Sequence, residues 1–455
     1  MLIKTRLILA GPLLSLLLVM VLQWQGHSSA ITWTAAITFL TAFYWITEAL
    51  PIPATSLIPF AAFPLSGVLT HQQAASSLGS HVIILLMGAF MLSKALEKSN
   101  VHSRFAFYMV SLTGAHSARR LVLGFMLTAA FLSMWISNTA TTLMLLPIAI
   151  AVIQRIQNPS LAAAILLGIA YSASLGGVGT PIGTPPNIIF MSVYNEVQGH
   201  PLTFLEWMSF GLPIVLIGIP LMALWLTRGL GALDNLELPA AGQWQSEEKR
   251  VLIVFTSVAL AWIFRPYWTQ WLGLDGVGDS TIALAGVVAM FLTPTGKQPG
   301  EKLLDWKTAN DIPWGMLLLF AGGICIAKAF DSSGLSVAMG EALAGLSDMP
   351  LLAMILILCL FVTFLTEITS NTATATLLMP ILATAGMAVG VDPKLLMIPA
   401  AISASCAFML PVATAPNAIV YSTDKVSIRT MAKEGMVLNV VIALVTTTVV
   451  YVVLT

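Results

Sequence analysis

The sequence predicts an all-α polytopic membrane protein, with about eleven transmembrane helices and two re-entrant hairpins built as two inverted-topology repeats. Three observations carry this reading. The first is composition: only 9% of the 455 residues are charged and 58% are hydrophobic, whereas soluble globular proteins carry about 25% charged residues. So few charges cannot cover a globular surface, and lipid must solvate most of the exterior. The second is a pair of apolar regions, each too long for one crossing and each interrupted by Ser-Asn-Thr. The third is a set of motifs that recurs in the same order at a nearly constant offset.

Apolar windows of crossing length, about 18 to 20 residues, fall near 7–25, 31–49, 52–68, 79–97, 160–192, 207–227, 250–266, 279–293, 312–330, 395–421 and 434–454. Lys4 and Arg6 ahead of the first window resemble the start of a secretory signal. No Ala-x-Ala site follows, so this window is expected to stay as a membrane helix. The regions 121–152 and 350–389 are different. A helix of about 30 residues rises about 45 Å, which overshoots a hydrocarbon core of about 30 Å. Each is therefore expected to be two half-helices that enter and leave on one face, turning at Ser137-Asn138-Thr139 and Ser370-Asn371-Thr372.

Charge supports this layout. With a cytoplasmic N-terminus, 17 of the 20 basic residues fall inside, and only Arg265, Lys328 and Lys394 fall outside. That is the bias of the positive-inside rule. The ends of the first hairpin then lie inside, flanked by Arg120 and Arg155, the ends of the second lie outside, and the C-terminus lies outside.

The repeat is read at three places. Met87 to Ala95 resembles Ala321 to Ala329 at an offset of 234, with Lys94 meeting Lys328 and Glu97 meeting Asp331. Ser137-Asn138-Thr139-Ala140-Thr141 recurs as Ser370-Asn371-Thr372-Ala373-Thr374 at 233, each followed by a proline, Pro147 and Pro380. Gly183-Thr184-Pro185-Pro186-Asn187 recurs as Ala413-Thr414-Ala415-Pro416-Asn417 at 230. Generic small-residue similarity between membrane helices explains the Gly and Ala matches but not a shared Ser-Asn-Thr-Ala-Thr with its proline. Lys94 inside and Lys328 outside give the copies opposite topology. Inverted repeats with interrupted hydrophobic segments at matching positions mark a secondary transporter, with its site near the membrane midplane.

The chemistry of the motifs fits an anion and cations together. A Ser-Asn-Thr turn offers two hydroxyls, a carboxamide and freed backbone groups, and a helix starting there points N–H groups at an anion. Oxygens from the same turn suit a hard cation such as Na+. The Pro-Asn breaks release carbonyls that are tolerable at membrane depth only where they line a cavity or bind an ion. Neither cluster contains Arg, Lys or His. A dianion there would rest on neutral donors and on bound cations, which gives a physical reason for coupling. Each net positive charge carried inward gains about 2.3 kcal/mol per 100 mV. Glu48 and Glu367 fall at membrane depth and are expected to hydrogen-bond backbone freed at a helix break, with a protonation or gating role for Glu367 as the alternative.

Other classes have little support. A net charge of zero makes no electrostatic case for nucleic acid. Cys325, Cys359 and Cys406 form no CxxC pair and read as packing residues. His27, His71, His81, His102, His116 and His200 sit at expected ends and loops without HExxH spacing, so neither metalloenzyme nor other enzyme chemistry is indicated.

With Ser133-Met134-Trp135-Ile136-Ser137-Asn138-Thr139, Thr366-Glu367-Ile368-Thr369-Ser370-Asn371-Thr372 and the two Pro-Asn breaks, the chain resembles the divalent anion:sodium symporter family of INDY-type di- and tricarboxylate transporters. The resemblance is continuous over nearly the whole chain. It implies a homodimeric elevator in a bacterial cytoplasmic membrane, with scaffold parts at 1–120 and 229–345 and transport parts at 121–228 and 346–455. It implies a first Na+ site of Ser133, Ser137, Asn138 and the Gly183 carbonyl, and a second of Thr366, Thr369, Asn371 and the Ala413 carbonyl. Substrate carboxylates would meet Ser137, Asn138, Thr139, Ser370, Asn371, Thr372 and Thr414. The implied function is Na+-coupled symport of C4-dicarboxylates such as succinate, fumarate or malate. A di- or tricarboxylate exchanger (citrate or tartrate) or a sulfate carrier stays open within the class, and an anion channel outside it. One departure stands out: many relatives have proline where this chain has Ala415, which bears on which anion fits.

Overall fold

A computed structural model describes residues 2–101, 104–105, 108, 117–156, 158–199, 202–231, 243–274, 276–343 and 349–455. Among these residues it is helical with no strand, and an isolated bridge joins Pro294 and Lys302. Nine of the described helices are long and apolar enough to cross a membrane, or ten if one bent pair counts as a span.

The helices follow in chain order. First come α1 (Leu2–Trp24), α2 (Ser29–Thr47), α3 (Ile52–Thr55), α4 (Ile58–Leu65), α5 (His71–Leu78) and α6 (His81–Ser99). Next are α7 (Ala118–Ser133), α8 (Asn138–Ile156), α9 (Pro159–Gly176), α10 (Pro185–Gln198) and α11 (Phe204–Leu226). Then come α12 (Ser246–Ile263), α13 (Arg265–Leu272), α14 (Asp279–Leu292), α15 (Trp306–Asn310), α16 (Trp314–Ser333) and α17 (Leu335–Leu343). The last are α18 (Leu351–Thr366), α19 (Asn371–Val389), α20 (Lys394–Ser405), α21 (Ala415–Tyr421) and α22 (Ile428–Leu454).

Both over-long apolar regions are helical pairs. Helices α7 and α8 turn through 134–137, and α18 and α19 turn through 367–370. The windows at 160–192 and 395–421 are each broken in the middle, α9 from α10 and α20 from α21. The window at 52–68 is not one helix: with prolines at 51, 53, 59 and 64 it forms only the short α3 and α4, because each proline removes a backbone donor and restricts the residue before it. The window at 250–266 ends in a 79° bend between α12 and α13, at Arg265-Pro266.

Burial places the centre of the molecule. The apolar window of Pro159–Gly179 is 94% buried, whereas that of Lys4–Trp24 is only 17% buried. Helix α9 is thus surrounded by protein, and α1 presents most of its apolar surface outward, as a lipid-facing helix does. Helix α1 is tied to α2 by the Tyr44 hydroxyl, which donates to the Ile8 carbonyl at 2.6 Å. All three cysteines are buried, as expected of packing residues. His71 and His81 open helices and His27 follows a turn. His102, His116 and His200 lie outside the described residues.

Candidate substrate and cation site

The two Ser-Asn-Thr triplets meet at one cavity of about 640 Å³. Ser137, Asn138 and Thr139 line it from one side and Ser370, Asn371 and Thr372 from the other, with Gly183, Ala413, Thr414 and Ala415 between. In both triplets the serine precedes the second limb and the asparagine is its first helical residue. Each limb therefore turns its N-terminal N–H groups and positive dipole end toward the cavity. Ser137 Oγ satisfies one of these donors by accepting from Ala140 N at 3.1 Å.

The two breaks are built alike. Asn187 Nδ2 donates to the carbonyls of Gly177 and Thr180 at 3.0 and 2.9 Å. Asn417 Nδ2 donates to those of Ala407 and Leu410 at 3.0 and 3.1 Å, likewise ten and seven residues back. A single carboxamide thus ties off two carbonyls that the interrupted helix left unpaired, at a depth where an unpaired carbonyl is costly. A glycine on the next long helix rests on each break. A Cβ on Gly211 would lie 2.5 Å from the Val178 carbonyl oxygen, and one on Gly435 would lie 2.1 Å from that of Phe408. The tips are matched as well: Ser133 Oγ donates to the Ala173 carbonyl at 2.6 Å, and Thr366 Oγ1 to the Ala404 carbonyl at 3.1 Å.

In the first copy these parts close an oxygen cluster. Asn138 Oδ1 lies 2.5 Å from Ser133 Oγ, and the carboxamide oxygen faces only acceptors. Turning the amide lets its nitrogen donate to the Ala173 and Gly183 carbonyls, both at 3.2 Å. Ser133, Asn138 and Gly183 thus converge: with the carboxamide oxygen turned inward the cluster offers oxygens that suit a hard cation, and with the amide turned its own nitrogen fills that role. The second copy is less closed. Asn371 Oδ1 accepts from the Thr372 hydroxyl at 3.0 Å, and Thr369 Oγ1 pairs with Thr374 Oγ1 at 2.6 Å. Ser133, Thr366 and Thr369 do not line the cavity; Ser133 and Thr366 stand behind the tips against the helices that lead into the breaks, and Thr369 bonds within its own helical pair, to Leu365 and Thr374.

Glu367 does what was expected of it: its carboxylate accepts from the N–H groups of Phe408, Met409 and Leu410 at 2.7, 2.9 and 2.9 Å. Glu48 does not. It is exposed, ends α2 in a left-handed conformation with φ 48°, and lines a shallow surface pocket with Lys4. A left-handed cap turns the chain out of the helix, which carries the side chain to the surface.

Sequence comparison adds the family. The profile of the citrate transporter family matches residues 42–394. The sodium-dependent dicarboxylate transporter SdcS of Staphylococcus saprophyticus is 39% identical over 468 residues, covering 98% of this chain and 90% of that protein. SdcS of Staphylococcus aureus is 39% identical over 473 residues with the same coverage. The chain belongs to this transporter family. It is a multi-pass membrane carrier and not an enzyme. A solved YdaH transporter of Alcanivorax borkumensis, described as having an unusual topology, shares the fold at a TM-score of 0.57 with 13% identity, over 84% of this chain and 87% of that one.

The carrier's cavity also holds charges that no motif announced. Lys94, Glu97 and Asp311 line it, with Lys94 Nζ 3.1 Å from Glu97 and 3.2 Å from Asp311. The repeat had flagged Lys94 and Glu97 only as matches to Lys328 and Asp331. Asp311 stands just ahead of α16, in the other copy, and only folding brings it to Lys94.

Proposed function

We propose that this chain is a secondary active transporter that moves a C4-dicarboxylate such as succinate, fumarate or malate into the cell together with Na+. The observation that carries this is the single cavity at which both Ser-Asn-Thr tips and both breaks meet. It offers two helix N-termini to an anion and, behind the first tip with the Asn138 carboxamide oxygen turned inward, converging oxygens to a cation. The names and 39% identity of the relatives support the same substrate class and coupling ion. Asn138, Thr139, Asn371, Thr372 and Thr414, with Ser137 and Ser370, would hold the carboxylates. Ser133, Ser137, Asn138 and Gly183 would hold one Na+, and Thr366, Thr369, Asn371 and Ala413 the other.

In this reading the two helical pairs are re-entrant hairpins from opposite faces of a bacterial cytoplasmic membrane. The N-terminus is cytoplasmic and the C-terminus outside, and the copies form an inverted repeat. The transport parts, 121–228 and 346–455, slide against scaffold parts, 1–120 and 229–345, within a homodimer. The repeated hydrogen bonds of Asn187 and Asn417 support the repeat. Because Lys94 lines the cavity and belongs to the inside by charge bias, we read the conformation as inward-facing. At the opposite end its repeat partner Lys328 donates to Ser76 Oγ at 2.8 Å and lies 3.8 Å from Glu196.

The test is uptake of radiolabelled succinate into proteoliposomes under an inward Na+ gradient. Uptake should collapse when choline replaces Na+, and unlabelled fumarate and malate should compete. Equal uptake with and without Na+ would point to exchange. Strong competition by citrate, tartrate or sulfate would move the substrate assignment.

A further inference from the structure

We propose that Lys94 and Asp424 form a latch that closes the side on which the cavity now opens, as Lys328 and Glu196 do on the opposite side. The carrier then exchanges one ion pair for the other as it moves. This rests on the inward-facing, inverted-repeat reading above and deepens it by naming the residues that hold each state.

The two lysines are matched in their contacts as well as in sequence. Lys94 lies on α6 and Lys328 on α16, at the repeat offset of 234. Each is held by the other copy at a corresponding place. Lys94 Nζ lies 3.2 Å from Asp311, just ahead of α16. Lys328 Nζ donates to Ser76 Oγ at 2.8 Å, near the end of α5 and just ahead of α6. At the offset of 234 Asp311 corresponds to Ser77, the neighbour of Ser76. The proposed scaffold parts therefore anchor both lysines alike. What differs is one further partner. Lys328 also lies 3.8 Å from Glu196 on α10, in a proposed transport part. Lys94 pairs, among the described residues, with Glu97 and Asp311, both in scaffold parts, and it lines the open cavity.

The sequence supplies the matching acid. Between each break and the next long helix stands a single carboxylate: Glu196 in 185–203 and Asp424 in 415–427. Glu196 lies eleven residues past the start of α10, and Asp424 nine past the start of α21, in the turn that follows that shorter helix. Asp424 is exposed, with φ 57°. None of the ion pairs among the described residues includes it. Its stretch carries Lys425, Arg429 and Lys433, which charge bias assigns to the inside, the same face as Lys94.

In a carrier of two inverted copies, the state open to the other face is reached when the copies exchange arrangements. Exchange brings Lys328 to an open cavity and gives Lys94 the contact that Lys328 now makes, with the acid that follows the second break. An exposed pair shifts a two-state equilibrium by only about fivefold. A latch of that strength biases each state and still releases on every cycle.

The experiment bridges each pair. Membrane vesicles holding Lys94→Cys with Asp424→Cys, or Lys328→Cys with Glu196→Cys, are treated with a short bifunctional methanethiosulfonate in the presence of Na+ and succinate. Bridged peptides are identified by mass spectrometry, so the three buried native cysteines can stay. Both pairs should bridge, and each bridge should arrest uptake until a thiol reductant opens it. Adding Glu196→Gln to the first pair, or Asp424→Asn to the second, removes the opposing latch and should speed bridging by about two- to fivefold. Bridging of 196 to 328 without bridging of 94 to 424 overturns the proposal and leaves sliding intact. Bridging of both pairs at rates that Glu196→Gln and Asp424→Asn leave unchanged also overturns it, because nearness without a latch gives that result. Failure of both pairs to bridge, or bridging of both with full uptake, overturns the sliding reading and the latch with it. If Lys94→Cys does not fold, a second probe keeps both lysines: Val412→Cys, at a position 79% exposed in the cavity. Its labelling by an impermeant maleimide from the inner face should slow by about two- to fivefold with Glu196→Gln and not with Asp424→Asn; equal rates overturn the proposal.

Discussion

Asn138 and Asn371 each do two jobs, opening a helix and lining the cavity. Replacing either by Ala removes a carboxamide from the site while leaving alanine, the best helix former, at the first helical position. Uptake by Asn138→Ala and by Asn371→Ala should fall to background, while both proteins should elute from a sizing column like wild type; near-normal uptake by both would remove the asparagines from the site. Ala415 is the counterpart of Pro185, at the start of α21, exposed toward the cavity. Proline is tolerated at a first helical position, so Ala415→Pro should fold and change the lining of the cavity. Its succinate-to-citrate preference should move by several fold, and an unchanged profile would show that this position does not contact the anion.

Among the elements, the breaks are the most exacting. Adding a methyl group at Gly435 drives it to 2.1 Å from the Phe408 carbonyl oxygen, a backbone atom that Asn439 and Glu367 hold in place through Phe408 N. Gly435→Ala should destabilise by about 1–3 kcal/mol, the usual cost of overpacking, seen as a lower unfolding temperature with transport lost. Gly211→Ala, 2.5 Å from the Val178 carbonyl, should do the same. Both glycines were invisible in the sequence, because a glycine in an apolar helix is common in membrane proteins and nothing local marks the backbone it will meet. The breaks themselves were legible, since Pro and Gly next to Asn in an apolar run permit few other readings. The part played by each asparagine was not, because its acceptors lie seven and ten residues back. The two helical pairs were legible from the length of each apolar region and its Ser-Asn-Thr interruption. The division of 52–68 into two short helices could have been read from its prolines, and hydropathy averaging concealed it.

At the scale of the whole molecule, the repeat carried the most information. The recurring motifs led one to expect both tips and both breaks together, and all four line one cavity. They said nothing of Asp311, which reaches Lys94 across 217 residues of chain. The Glu196–Lys328 pair joins a proposed transport part to a proposed scaffold part, with side chains 31% and 18% exposed. Cysteines at these two positions, bridged by a mercury ion, should arrest uptake in proteoliposomes, and a thiol reductant should restore it. Uptake unaffected by mercury in the double variant would argue against relative sliding at this contact.

The hydroxyls of Thr184 and Ser405 meet at 3.3 Å, and the rings of Tyr171 and Phe408 stand 5.0 Å apart, centroid to centroid. These contacts bolt the first break to the second inside the protein. Neither half of the site can then loosen without disturbing the other. Such a carrier should show little slippage, so that the ion gradient is conserved for the anion it accompanies.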